Sequence, residues 1–255
     1  MSGGALETLI RRDRLFVAGA LVVVTGLCWA YMVHLAASMP GDMSSMGAMA
    51  RSWTVSSAFL MFVMWAVMMT GMMLPSAAPM ILLYGLVTRK QAGRGTVFAP
   101  TGAFVAGYVI AWTGFSAVAT GLQWGLEQAG LVTSMTSPAA SWFAGAVLIA
   151  AGLYQWTPLK GACLTHCRNP MEFLSRSWRS GTGGAVMGIH HGLYCIGCCW
   201  ALMLILFAGG VMNLLLVAGI AVLVLIEKLA PASRIISNLT GAVAVLAGIV
   251  VIIIG

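Results

Sequence analysis

Residues 183–203, GGAVMGIHHGLYCIGCCWALM, carry two histidines, three cysteines and a tyrosine within ten positions of an otherwise apolar run. On a helix at 100° per residue, Met187, His191, Cys195 and Cys198 share one face and Tyr194 lies at its edge. His190 and Cys199 flank that face on opposite sides. The rise from His190 to Cys199 is about 13 Å, so these groups form a ladder and not a single point. Thiolate and thioether are soft ligands that select Cu(I), zinc or iron–sulfur, while imidazole suits zinc, copper and iron. Just upstream, Cys163, His166 and Cys167 stand at i, i+3 and i+4, one face if that stretch is helical. The pattern is not the C-x-x-C-H of haem attachment. Tetrahedral zinc needs four ligands, and the two groups together offer eight histidines and cysteines.

The methionines move the expectation toward copper. Of the 18 in the chain, Met61, Met64, Met68 and Met72 lie within an arc of about 80° on one helix, and Met69, Met73 and Met80 extend it. Thioethers are good Cu(I) ligands and poor zinc ligands. A polar loop holds Met39, Met43, Met46 and Met49 three or four residues apart, with His34 nearby. These groups outline a path from a methionine capture loop, along the methionine stripe and the Cys/His ladder, to Cys163, His166 and Cys167. The expected cargo is Cu(I), with zinc or iron as alternatives. The adjacent Cys198 and Cys199 would also suit mercury. Opposed to this is the packing reading: methionine fills gaps in apolar cores and cysteine behaves as a small hydrophobe. Cys28, with no partner in sequence, reads as packing.

Long helices must position these groups. The chain of 255 residues is 60% hydrophobic and 7% charged, with mean hydropathy +0.97. A soluble domain is about a quarter charged. Long apolar runs, without the ten-residue alternation of a membrane barrel, predict an all-α polytopic membrane protein. About seven transmembrane helices are expected, at 15–37, 53–74, 99–122, 139–154, 185–207, 212–226 and 239–254, in one helical transmembrane domain spanning 1–255. The first run is longer than a signal-peptide core and reads as a retained helix. Pro75 and Pro79 are expected to end or kink the second helix. The longest polar segment, 155–182, reads as a loop. Nearly all Lys and Arg residues lie in the N-terminal segment and in the loops after the second, fourth and sixth helices. The positive-inside rule then puts the N-terminus in the cytoplasm and the C-terminus outside. The net charge of +7 reports this orientation and not nucleic-acid binding. The cysteine groups fall on the reducing side, where thiols or metal thiolates are favoured over structural disulfides. Glu227 and Lys228 end the sixth helix. They read as interfacial groups that snorkel, or Glu227 as an acceptor that orients a histidine. Gly184, Gly188 and Gly192 read as sites of close helix contact.

Several stretches carry a resemblance: MMTGMMLPS at 68–76, GLYQWTPLK at 152–160 with CLTHC at 163–167, GLYCIGCCW at 192–200, GVMN at 210–213, and Glu227-Lys228. The chain resembles the bacterial family labelled "predicted metal-binding integral membrane protein". The resemblance runs from the second helix onward. It implies a multi-pass protein of the bacterial inner membrane in which Cys163, Cys167, Cys195, Cys198 and Cys199 are the family's cysteines.

Three classes of function follow. The first handles a soft metal, by uptake, transfer or the loading of a partner metalloprotein. Here Met61, Met64, Met68 and Met72 serve transit, and His191, Cys195, Cys198 and Cys199 form the intramembrane site. Cys163, His166 and Cys167 then release the metal. The second is a membrane thiol–disulfide oxidoreductase working through Cys195/Cys198 and Cys163/Cys167. The third is a subunit of a larger membrane complex with a structural metal. The sequence has no phosphate loop, paired catalytic carboxylates or Ser/His/Asp signature, so a non-enzymatic role is favoured.

Overall fold

The computed structural model describes residues 3–38, 53–92, 98–131, 138–179, 183–211 and 213–254. The methionine loop with Met39, Met43, Met46 and Met49 lies outside the described residues. Those described form helices α1 (Gly3–Ser38), α2 (Val55–Ala92), α3 (Phe98–Gln128), α4 (Pro138–Gln155), α5 (Pro158–Arg168), α6 (Pro170–Arg179), α7 (Gly184–Gly209), α8 (Leu214–Leu229) and α9 (Ser233–Ile254), with no strand among them.

Five helices contain stretches long and apolar enough to cross a membrane: Arg12–Ser38, Val55–Arg89, Pro100–Gln128, Gly184–Gly209 and Ser233–Ile254. The apolar part of α4, Ala140–Gln155, is shorter. So is α8, whose 16 residues span about 24 Å against a hydrocarbon core of about 30 Å. Of the seven stretches expected to span, five therefore lie on helices of full length and two on shorter helices. Large apolar side chains such as Leu15, Val22, Val243 and Ile253 cover the outside, which suits lipid and not water.

Two elements depart from the sequence reading. The second helix neither stops nor breaks at Pro75 and Pro79 but continues to Ala92. Proline costs a helix one backbone hydrogen bond, here the donors to the carbonyls of Gly71 and Pro75. Between those two, the Met73 carbonyl accepts side-chain donors, Ser76 Oγ at 2.8 Å and Tyr108 OH at 3.1 Å. The polar segment 155–182 is also more than a loop, since it folds into α5 and α6. Thr157 caps α5 by accepting from the Lys160 N–H, and Pro158 takes the first helical position.

The core is methionine-rich. Met64, Met68, Met69, Met72, Met73 and Met80 are all buried on α2, which packs on α1, α3 and α8. α3 and α7 meet backbone to backbone, for a Cβ on Gly188 would stand 2.0 Å from the Phe104 carbonyl oxygen and one on Gly107 would stand 1.9 Å from that of Ala185. Only glycine allows this approach. α4 and α9 close in the same way at Gly145/Gly248 and Gly152/Gly241. At one end, Glu127 accepts from Trp53 Nε1 and Gln123 Nε2, both at 2.8 Å, and Gln123 accepts from the buried Trp65 at 2.7 Å.

Candidate metal centre

α5 lies against the middle of α7 and brings the two cysteine groups together. His166 stacks on Tyr194 with ring centres 4.4 Å apart and planes 5° from parallel. Cys163 Sγ occupies the space left by the missing side chain of Gly197, where a Cβ would be 2.7 Å away. Cys167 Sγ stands 4.0 Å from Cys198 Sγ. Burial, reinforced by Cys198, pushes the Cys163 thiol above its ordinary value. The i, i+3, i+4 spacing is therefore a helical face, and that face is laid on the ladder.

The ladder itself is buried at Met187, His191, Cys195, Cys198 and Cys199. Cys198 and Cys199 each donate to the Cys195 carbonyl at 3.0 Å, which fixes both thiols on one turn. Cys199 Sγ reaches the Met73 thioether on α2 at 3.9 Å. Cys195 Sγ has two neighbours of different kinds, Tyr108 OH at 3.1 Å and Lys228 Nζ at 2.8 Å. Lys228 also donates to Ser76 Oγ at 2.8 Å. His191 sits among the rings of Phe104, Tyr108 and Phe173 at 6.0, 5.8 and 5.6 Å, and its buried Nδ1 has no hydrogen-bond partner among the described residues. Phe173 comes from α6, so the second short helix covers this histidine.

The expected site residues thus separate. Cys163, His166 and Cys167 meet α7 at Gly197, Tyr194 and Cys198 along the α5–α7 seam. His191 faces α3 and α6, Cys195 faces α3 and α8, and Cys199 faces α2. His190 is exposed and stands apart. Met64, Met68 and Met72 are buried and Met61 half-buried, but the sulfur that reaches a thiol is that of Met73. Met69, Met73, Ser76 and Met80 form their own narrow stripe, about 105° around α2 from the expected one. Helical period identifies a stripe without saying which one meets α7.

Glu227 and Lys228 do not snorkel, and Glu227 orients no histidine. Both are buried and turn to different partners. Glu227 pairs with Lys160 at 2.7 Å and accepts from Ser237 at 3.2 Å, while Gln155 Oε1 also receives Lys160. Lys228 enters the thiol cluster. Arg168 completes the join by donating to the Ala230 carbonyl at 2.7 Å and to Ser233. The sequence reading missed Tyr108 and Ser76 as site groups. Their signal was a hydroxyl in an apolar helix, which many packed helices share.

Two sulfurs on one ion stand roughly 3.8 Å apart in tetrahedral and 4.6 Å apart in linear geometry, taking bonds of about 2.3 Å. The Cys167–Cys198 and Cys199–Met73 separations both fall within that range. Among the described residues no three His, Cys, Asp or Glu side chains gather closely enough to hold an ion. The arrangement is one of sulfur pairs, with a thioether in one of them. That donor set fits a soft ion of low coordination number better than tetrahedral zinc.

A family model described as "PpoB2: Copper chaperone" matches residues 62–251. The matched segment includes every group of the seam as well as Met73, Tyr108 and Lys228. It agrees with the copper expectation drawn from the methionines and with the metal-binding character of the resemblance, and it does not identify the narrower family named there. No curated protein and no solved structure matches the chain.

Proposed function

The chain belongs to the PpoB2 copper chaperone family, and from that premise we propose that it is a multi-pass protein of the bacterial inner membrane that carries Cu(I) to a partner metalloprotein. In this reading the short α4 and α8 cross the bilayer with the five long helices, making one transmembrane domain. The N-terminus is cytoplasmic and the C-terminus outside, as the loop charges indicate. Copper is cargo here and not a resident cofactor. Met61, Met64, Met68 and Met72 line the approach, Met73 and Cys199 receive the ion, and Cys198 with Cys167 holds it beside Cys195 and His191. Cys167, Cys163 and His166 pass it on toward the cytoplasm. The observation that carries the reading is the 4.0 Å separation of Cys167 and Cys198. It joins two cysteine groups, 31 residues apart, at a distance one soft ion can bridge.

Ligand exchange between neighbouring sulfurs lets an ion move without being released to water. The chain's own part is to keep water out, through Phe173 and Phe104 beside His191, and to hold the thiols in sequence. Metal analysis by mass spectrometry on protein purified under reducing conditions tests the reading. Copper near one or more per chain, lost in a Cys195→Ser/Cys198→Ser variant, is the expected result. Zinc or iron at the same residues would make the methionines packing. No metal even after reconstitution would overturn the reading and favour thiol–disulfide exchange, for which the Cys167–Cys198 pair is the closest candidate.

A further inference from the structure

We propose that Lys228 selects the charge of the ion this site accepts, favouring a soft monovalent cation over an equally soft divalent one. The inference rests on the copper reading above. Among the described residues, the polar groups that face the cluster can be named by element. α7 supplies His191, Cys195, Cys198 and Cys199; α2 supplies Met73 and Ser76; α3 supplies Tyr108; α4 supplies Tyr154; α5 supplies Cys163 and Cys167; and α8 supplies Lys228. No carboxylate is among these. Glu227, next to Lys228, is turned away and neutralised by Lys160. The Lys228 ammonium is 2.8 Å from Cys195 Sγ and only 8% exposed.

Metal-bound cysteines are thiolates. Two thiolates, one monovalent ion and one ammonium add to zero charge. A divalent ion with the same ligands leaves an uncompensated positive charge in a dry site, which is expensive. A divalent ion reaches neutrality only if a third thiol, such as Cys195 beside the ammonium, also gives up its proton, a step the monovalent ion does not require. Softness alone cannot make this distinction, because Zn(II), Cd(II) and Hg(II) also bind thiolate. The lysine supplies what the sulfurs lack, a fixed charge that counts the charge of the cargo.

Ag(I) and Cd(II) are the probes. Both are soft, redox-inert and isoelectronic, and they differ by one unit of charge. Competition with dithiothreitol gives the affinity of each for the wild type, Lys228→Met, Lys228→Gln and Lys228→Arg in detergent. The Ag(I)-to-Cd(II) affinity ratio is expected to fall on the order of 100-fold in either neutral variant and to stay within a few-fold of wild type in Lys228→Arg. Wild-type protein alone should exceed the preference of dithiothreitol itself by a similar factor, and this arm stands even where a variant fails to fold. An unchanged ratio in a folded neutral variant, or a wild-type preference equal to that of dithiothreitol, would overturn the proposal. Wild type that binds neither Cu(I) nor Ag(I) would instead overturn the copper reading on which it rests.

Discussion

Alanine at Gly188 should separate α3 from α7 and with them the groups around Cys195. The added Cβ would stand 2.0 Å from the Phe104 carbonyl oxygen and 3.0 Å from the Tyr108 backbone nitrogen. Ordinary contact begins near 3.4 Å, so the helices must part by roughly 1.4 Å. Backbone cannot swing aside as a side chain can. The Tyr108–Cys195 contact, 3.1 Å in the native protein, would open beyond hydrogen-bond reach. Overpacking of this kind costs about 1–3 kcal/mol, while the better helix propensity of alanine returns up to about 1 kcal/mol. The control is Gly219→Ala on α8, where a Cβ meets nothing within 4 Å and only the propensity gain remains. Thermal unfolding in detergent should therefore show Gly188→Ala below wild type and Gly219→Ala at or above it, with copper retention lost in the first only. Equal melting temperatures and equal copper content in the two variants would refute the claim that this backbone contact positions the site.

Further outcomes are expected elsewhere in the molecule. Met73→Leu conserves volume and should cost under about 1.5 kcal/mol of stability, yet lower Cu(I) affinity tenfold or more against a chelator, while Met72→Leu changes affinity little; the reverse order would restore the stripe first read from the sequence. A chain retaining only Cys167 and Cys198 should form an intrachain disulfide under mild oxidation, visible by mass spectrometry, whereas one retaining only Cys28 and Cys198 should not. Glu227→Gln leaves Lys160 buried without its counter-charge and should destabilise by about 3–5 kcal/mol, with Lys160→Met/Glu227→Met recovering most of that loss in the same melting assay. Because burial raises the Cys163 thiol above its ordinary value, its thiolate is scarcer at neutral pH. In a chain with Cys163 as its only cysteine, alkylation should reach half-maximal rate at a higher pH than for a free thiol, and a midpoint at or below the free value would contradict this.

The ladder was legible because a bilayer helix has little packing use for two histidines and three cysteines at helical spacing. Apolar run length revealed the long helices for the same reason. Pairing across elements was not legible. Lys228 looked interfacial because depth was judged from its own neighbourhood, yet what permits its burial comes from Ser76 on α2 and Cys195 on α7. Residues 155–182 looked like a solvent loop because their charges were counted singly. In the fold, Lys160 is neutralised by Glu227, 67 residues away, and Arg168 is satisfied by a helix-end carbonyl. With these charges compensated, α5 can lie against the apolar seam.

Adjacent residues at the end of α8 hold two machines at once. Lys228 grips the thiol cluster through Cys195, and Glu227 grips α5, the helix that carries Cys163 and Cys167, through Lys160. Any rotation of α8 that withdraws the ammonium from Cys195 therefore strains its hold on α5 as well, and a substitution at either residue should be felt at both contacts.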